Sequence, residues 1–305
     1  MTSGAGRLAI VGVALAVSAV SLVAQRSAFR ATTSLVSVSV SVKRGNNVVA
    51  NLTAADFALT DNGVAQTVEA VSIESVPIDV TLFLDTSGST AGKLDEMQRD
   101  VQSILQLFRS SDRFRLLTIG DTVNPAIAWV PAGTKVNASF EAVGGISLIR
   151  DALMLALVHK VEPGRRHLIV GMTDREDCGS VIPASTFLDV AGRSDAVMHL
   201  VDYSGGGGDS HYRVRSCTPR ARPNGDAIIT QAAERTGGEL HKQSRFFRSS
   251  SIARAFKTIF DDFRQSYVLR YSPHDVSATG WHPIVVQVPK VKDATIRARQ
   301  GYYAG

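Results

Sequence analysis

Asp79-Val80-Thr81-Leu82-Phe83-Leu84, followed at once by Asp85-Thr86-Ser87-Gly88-Ser89-Thr90, is the stretch on which the fold turns. Its first half is a short, nearly unbroken apolar run, the pattern of a strand buried on both faces of a parallel sheet. Its second half is made of small, oxygen-bearing residues, so the chain leaves the strand in a turn at Gly88. A helix is expected next, because Leu94, Met97, Val101, Ile104, Leu105 and Phe108 recur at helical spacing within 93–109. Strand, oxygen-rich turn and helix together open an α/β sheet, a class in which ligands bind outside the carboxyl ends of the strands.

The alternation continues downstream. Strands are expected over 114–119, 126–130, 167–173, 196–202 and 239–243, and helices over 148–161, 226–235 and 250–263. Gly237-Gly238 supplies a helix stop. Residues 77–264 therefore read as a Rossmann-like open, mostly parallel sheet with helices on both faces. Both flanks are β in character. Val36, Val38, Val40 and Val42 alternate with serines, 57–60 and 66–73 read as strands, and Asp61-Asn62-Gly63 is a hairpin signal. Three further strands are expected over 266–271, 283–288 and 295–303. Because chain ends are often neighbours in space, 25–76 and 265–305 are expected to pair as a flanking β-sandwich.

Composition narrows the class without naming a function. The chain has 305 residues, 44% of them hydrophobic and 20% charged, which excludes disorder, collagen and a disulfide scaffold. Its 33 basic against 28 acidic residues leave a net charge of +5, too small and too dispersed for a nucleic-acid partner. Arg213, Arg215, Arg220 and Arg222 share one segment with Tyr212 as its lone aromatic. It reads as a solvated face or as a basic rim that steers an acidic partner.

Residues 8–24 form an uncharged apolar run behind Arg7. Residues 1–24 thus read as an export signal, placing the protein outside the cytoplasm, secreted or periplasmic. Left uncleaved, 8–24 would anchor it, and membrane contact is expected through this segment alone. Export favours oxidation, which makes Cys178 and Cys217 a candidate disulfide, with two free thiols as the alternative. A bridge closing about 40 residues contributes roughly 4 kcal/mol in the chain-entropy treatment.

Three expected strand-end or helix-start loops carry hard oxygen groups. Asp85, Ser87 and Ser89 form the first, Ser147 lies in the second, and Asp174 in the third. Oxygen-only ligands with two carboxylates suit Mg²⁺ first, then Mn²⁺ or Ca²⁺. Such an ion, partly coordinated by water, can accept a carboxylate from a protein partner. Helix capping is the plainer use of Ser87 and Ser89. Glu176, Asp177 and Asp121 read as solvated loop residues, and His167 and His199 as core or sheet-edge residues. No catalytic residue and no organic cofactor is expected. Ser87 lacks the G-x-S-x-G elbow, and the seven histidines include no H-E-x-x-H pair. A metal-assisted phosphoryl or ester hydrolase and a purely structural module remain the alternatives.

At these residues the chain resembles the von Willebrand factor A domain family. Its metal-ion-dependent adhesion site uses an Asp-x-Ser-x-Ser loop, a Thr from a second loop and an Asp from a third. Asp85, Ser87 and Ser89 match the first element and Asp174 the third, with Arg175 where the family often has Gly. Aligned through Asp151-Ala152-Leu153, Ser147 stands at the Thr position, keeping the hydroxyl and losing the methyl. Leu52-Thr53-Ala54-Ala55-Asp56-Phe57 with Asp61-Asn62-Gly63 and Gln66 resembles the leader of a bacterial subfamily abundant in acidobacteria. Thr236-Gly237-Gly238, 267–273 and 297–303 resemble its closing blocks, so the likeness spans nearly all of 31–304. It implies a metal-dependent adhesion or protein-binding module.

Overall fold

The computed structural model describes residues 35–73, 75–87, 90, 94–137, 139–141, 147–174, 177, 179–202, 225–242 and 252–305. Residues 1–24, expected to direct export, lie outside the described residues, as do Cys178, Cys217 and the arginine-rich segment.

The chain begins with β1 (Val36–Arg44), β2 (Asn47–Val48), β3 (Ala58–Asp61), β4 (Val64–Gln66) and β5 (Ala70–Ile73). In β1 the valines face inward and the serines outward, as period-two alternation dictates. Asn62 and Gly63 both have positive φ, +50° and +82°, so β3 and β4 are joined by the two-residue turn that Asn-Gly favours.

The α/β part follows as β6 (Ile78–Asp85), α1 (Leu94–Leu105), β7 (Arg113–Ile119), β8 (Val123–Pro131), α2 (Ile149–Leu157), β9 (Arg166–Thr173), α3 (Ala184–Arg193), β10 (Val197–Asp202), α4 (Gly225–Arg235), β11 (Leu240–Lys242) and α5 (Ile252–Gln265). Its six strands lie in the order β11-β10-β9-β6-β7-β8, parallel except for β8. Counted along the chain, this is strand order 3-2-1-4-5-6, with its reversal between β6 and β9, the crevice where open α/β sheets bind ligands. Every residue of β6 is buried. Val80, Leu82 and Leu84 pack on one face with α1 and α5, and Phe83 packs on the other with α2, α3 and α4.

Last come β12 (Tyr267–Tyr271), β13 (Gly280–Gln287), β14 (Thr295–Ala298) and β15 (Gly301–Ala304). β1 pairs antiparallel with β12 and β14, Val38 opposite Leu269 and Val42 opposite Ile296. β13 pairs antiparallel with β3 and β15. The sheets β14-β1-β12-β5 and β15-β13-β3-β4 bury one core, with Val38, Val40, Leu59, Tyr267, Leu269 and Ile284 in it. Among the described residues no helix is long and apolar enough to cross a membrane.

Several elements differ from their sequence reading. The strand expected over 66–73 is two strands, β4 and β5, in different sheets, and 295–303 is likewise split into β14 and β15. In each case the chain crosses from one sheet to the other, over 67–69 and 299–300. The helix expected over 93–109 ends at Leu105, where i→i−3 bonds from Gln106 and Leu107 tighten and close it. Phe108 keeps its apolar place by stacking on Phe114, at a ring separation of 5.4 Å. The helix expected over 148–161 ends at Leu157, where the His159 N–H turns to the Ala156 carbonyl in an i→i−3 bond of 3.3 Å that tightens and closes the last turn. Helix α3 was not anticipated, although Phe187, Leu188 and Ala191 form its buried stripe.

Candidate metal centre

Asp85 ends β6 and is fully buried at the reversal point of the sheet. Its Oδ1 accepts the Ser87 N–H at 3.1 Å and the Ser147 hydroxyl at 3.4 Å. Its Oδ2 accepts the Thr173 hydroxyl at 2.9 Å. Thr90 fastens the loop by donating to the carbonyls of Asp85 and Ser87, at 2.8 and 2.9 Å. Thr86 ties it to the neighbouring strand through the Ile119 carbonyl, 2.8 Å from its N–H.

The second loop is built from three directions. Ser147 bridges Asp177 in parallel fashion, the Ser147 carbonyl accepts the Gly179 N–H at 3.2 Å, and the Leu148 N–H donates to Gly120 at 3.2 Å. The Ser147 hydroxyl is thereby delivered to Asp85 across 62 positions of sequence. Asp174 directly follows Thr173 and is half-buried. The structure thus brings Asp85, Ser87 and Ser147 together, with Asp174 close enough to raise the Asp85 pKa. Ser89 lies outside the described residues.

The sequence reading of Asp177 as a solvated loop residue is corrected by the structure. Asp177 is buried, and the Arg150 Nε donates to its Oδ2 at 2.6 Å. The pair stitches the start of α2 to the loop after β9, and within that loop the Ser180 N–H donates to Asp177 Oδ1 at 3.3 Å. A lone loop aspartate carries no local sign of such a partner. Thr173 was missed as well. Its signal was present, because it ends β9 immediately before Asp174, one residue past the Leu84–Met172 pair that closes the β6–β9 register. Asp121 is exposed, whereas His167 and His199 are buried.

The charges define what the centre can do. Burial, with the negative charge of Asp174 second, pushes the Asp85 carboxyl up from 3.8 to about 6. The hydrogen bonds from Ser87 and Thr173 favour its ionised form and only partly offset this. The described donor groups, Asp85, Ser87, Ser147, Thr173 and Asp174, offer oxygen alone. A buried carboxylate beside a second one, with hydroxyls around both, is a donor set that fits a hard divalent cation.

No protein-family model matches this chain, and no curated protein matches it. Solved structures do. A von Willebrand factor type A protein from Catenulispora acidiphila is 10% identical, with 90% of this chain and 75% of that chain covered, at a TM-score of 0.46. An aerotolerance-related membrane protein from Bacteroides fragilis is 14% identical, with 61% and 98% covered and a TM-score of 0.42. The pilus adhesin SpaC of Lactobacillus rhamnosus GG is 9% identical, with 75% and 44% covered and a TM-score of 0.45. Solved von Willebrand factor A domains are thus among the structures this chain resembles. The fold itself rests on the strand order and helix placement described above, and the site on its own geometry.

Proposed function

We propose that this chain is an exported, non-catalytic protein-binding module whose partner contact depends on a divalent cation. The observation that carries the reading is Asp85. It is a fully buried carboxylate at the reversal point of the sheet, ringed by hydroxyls and raised in pKa by burial and Asp174. Asp85, Ser87, Ser89, Ser147 and Asp174 would hold Mg²⁺, directly or through water, with Mn²⁺ or Ca²⁺ as substitutes. Bound there, the ion supplies an open coordination position that accepts an acidic side chain of a protein partner. The protein's own work is positioning. Thr173 and the Ser87 N–H orient the Asp85 carboxylate, and the Arg150–Asp177 pair holds the Ser147 loop against it.

Residues 77–264 form the binding domain in this reading, and 25–76 with 265–305 form one β-sandwich beside it. Residues 1–24 direct export or, uncleaved, anchor the chain. The same reading takes Cys178 and Cys217 as a candidate disulfide, with two free thiols as the alternative.

The test is isothermal titration of Mg²⁺ and Mn²⁺ into chelator-stripped protein, beside Asp85→Ala. Saturable binding in the parent and its loss in a folded variant are expected. Equal binding in both, or turnover of generic phosphate or ester substrates with metal, would overturn the reading.

A further inference from the structure

A second group of ligand-type side chains lies away from the Asp85 centre. β10 and β11 are paired in parallel with Leu200 beside Leu240 and Val201 beside His241. His199 therefore stands beside Glu239, and 199, 239 and 241 share one face by period-two alternation. It is the face on which Val197 and Val201 pack with α1 and α5. The ligand atoms converge there. His199 Nδ1 lies 3.1 Å from His241 Nε2, which lies 3.5 Å from Glu239 Oε1, and all three fall within 4.8 Å of one another. Gly238 makes the approach possible, since a Cβ at that position would sit 1.9 Å from the Met198 carbonyl oxygen.

We propose that His199, Glu239 and His241 form a second cation site, for a borderline first-row ion such as Zn²⁺. Two imidazoles and a carboxylate are a zinc donor set, whereas Mg²⁺ prefers oxygen alone. Tetrahedral bonds of about 2.0–2.1 Å place neighbouring ligand atoms about 3.3 Å apart. The separations of 3.1 and 3.5 Å lie on either side of that value. His199 is buried, while Glu239 and His241 are half-exposed, so the group is rigid on the core side and reachable from solvent on the other.

The surroundings balance charge. Arg297 of β14 contacts both Glu239 and Asp262 of α5, and Lys43 of β1 reaches Asp262 at 2.8 Å. A cation would share the Glu239 carboxylate with Arg297 and fasten the edge strand β11 to β10. The proposal does not depend on the Asp85 centre. The competing use of the 3.1 Å contact is a single N–H···N bond between the imidazoles, and the two uses differ in their response to metal.

Cobalt reports on the difference. Full-length, untagged, chelator-stripped protein is titrated with Co²⁺, then with Zn²⁺. A visible absorption band of a low-coordinate site is expected, saturating at one equivalent and displaced by Zn²⁺. It should persist in Asp85→Ala and vanish in His241→Ala. Glu239→Gln should weaken Zn²⁺ binding by at least the roughly tenfold that loss of an outer partner costs. Thermal unfolding without metal shows whether His241→Ala is folded, and if it is not, Glu239→Gln decides alone. No band in the parent chain, a band unchanged in the deciding variant, or a band lost only in Asp85→Ala would overturn the proposal.

Discussion

Thr173 donates its hydroxyl to Asp85 Oδ2 at 2.9 Å, from the last residue of β9 to the last residue of its parallel neighbour β6. Both residues are fully buried, so neither group has water as an alternative partner. Thr173→Val should therefore cost about 1–3 kcal/mol of stability and weaken Mg²⁺ binding, because Asp85 loses a donor that favours its ionised form. Thr173→Ser should restore both. Denaturant unfolding and titration calorimetry on the two variants check this.

Asp85 also sets a pH dependence. Its carboxyl is pushed up from 3.8 to about 6, so the folded chain holds this proton more tightly than the unfolded chain does. Between these values the unfolded state binds fewer protons, and the stability of the metal-free protein falls as pH rises through the window, by on the order of 3 kcal/mol. If Mg²⁺ binds as proposed, it competes with the same proton, so its affinity should rise with pH and level off above the Asp85 pKa. Asp85→Asn should flatten both profiles. Thermal midpoints in chelator and Mg²⁺ titrations on either side of the window read the two effects.

Arg150 neutralises a carboxylate whose side chain is 1% exposed, that of Asp177. Arg150→Ala leaves this charge buried and unpaired, which costs about 3–5 kcal/mol. Because Asp177 bridges Ser147, the same change should weaken Mg²⁺ binding. Adding Asp177→Asn to Arg150→Ala should recover part of the stability. A double-mutant cycle by chemical unfolding tests the coupling.

The core shared by the two antiparallel sheets holds a polar cluster of its own. Asp61, with no exposure, meets the His282 Nδ1 at 2.8 Å and accepts the hydroxyls of Tyr271 at 2.8 Å and Tyr302 at 2.9 Å. Tyr271→Phe removes one bond to a buried acid and should cost about 1–3 kcal/mol, with Mg²⁺ affinity unchanged. A loss of Mg²⁺ binding in that variant would show instead that the two parts of the molecule are coupled.

Much of the centre was legible in the chain because its signals are local. An apolar run ending in Asp85-Thr86-Ser87 specifies a buried strand and an oxygen-rich turn within a few residues, and Asp174 follows the buried strand β9 in the same way. Alternation in β1 identified its inner face, and Asn62-Gly63 identified its hairpin. What the tertiary structure decided is non-local. A continuous β pattern over 66–73 carries no sign that 67–69 cross between sheets, because alternation reports the face of a residue and not its partner strand. Asp177 reads as polar, and only the packing of α2 against the loop after β9 gives it Arg150 and removes it from water. His199 and His241 are 42 positions apart, and no spacing rule joins them. The register of β10 on β11 does. Local sequence set the elements and their faces through short-range sterics and periodicity, whereas convergence of the loops and ligands required long-range strand pairing, which is fixed only when the whole core is buried together.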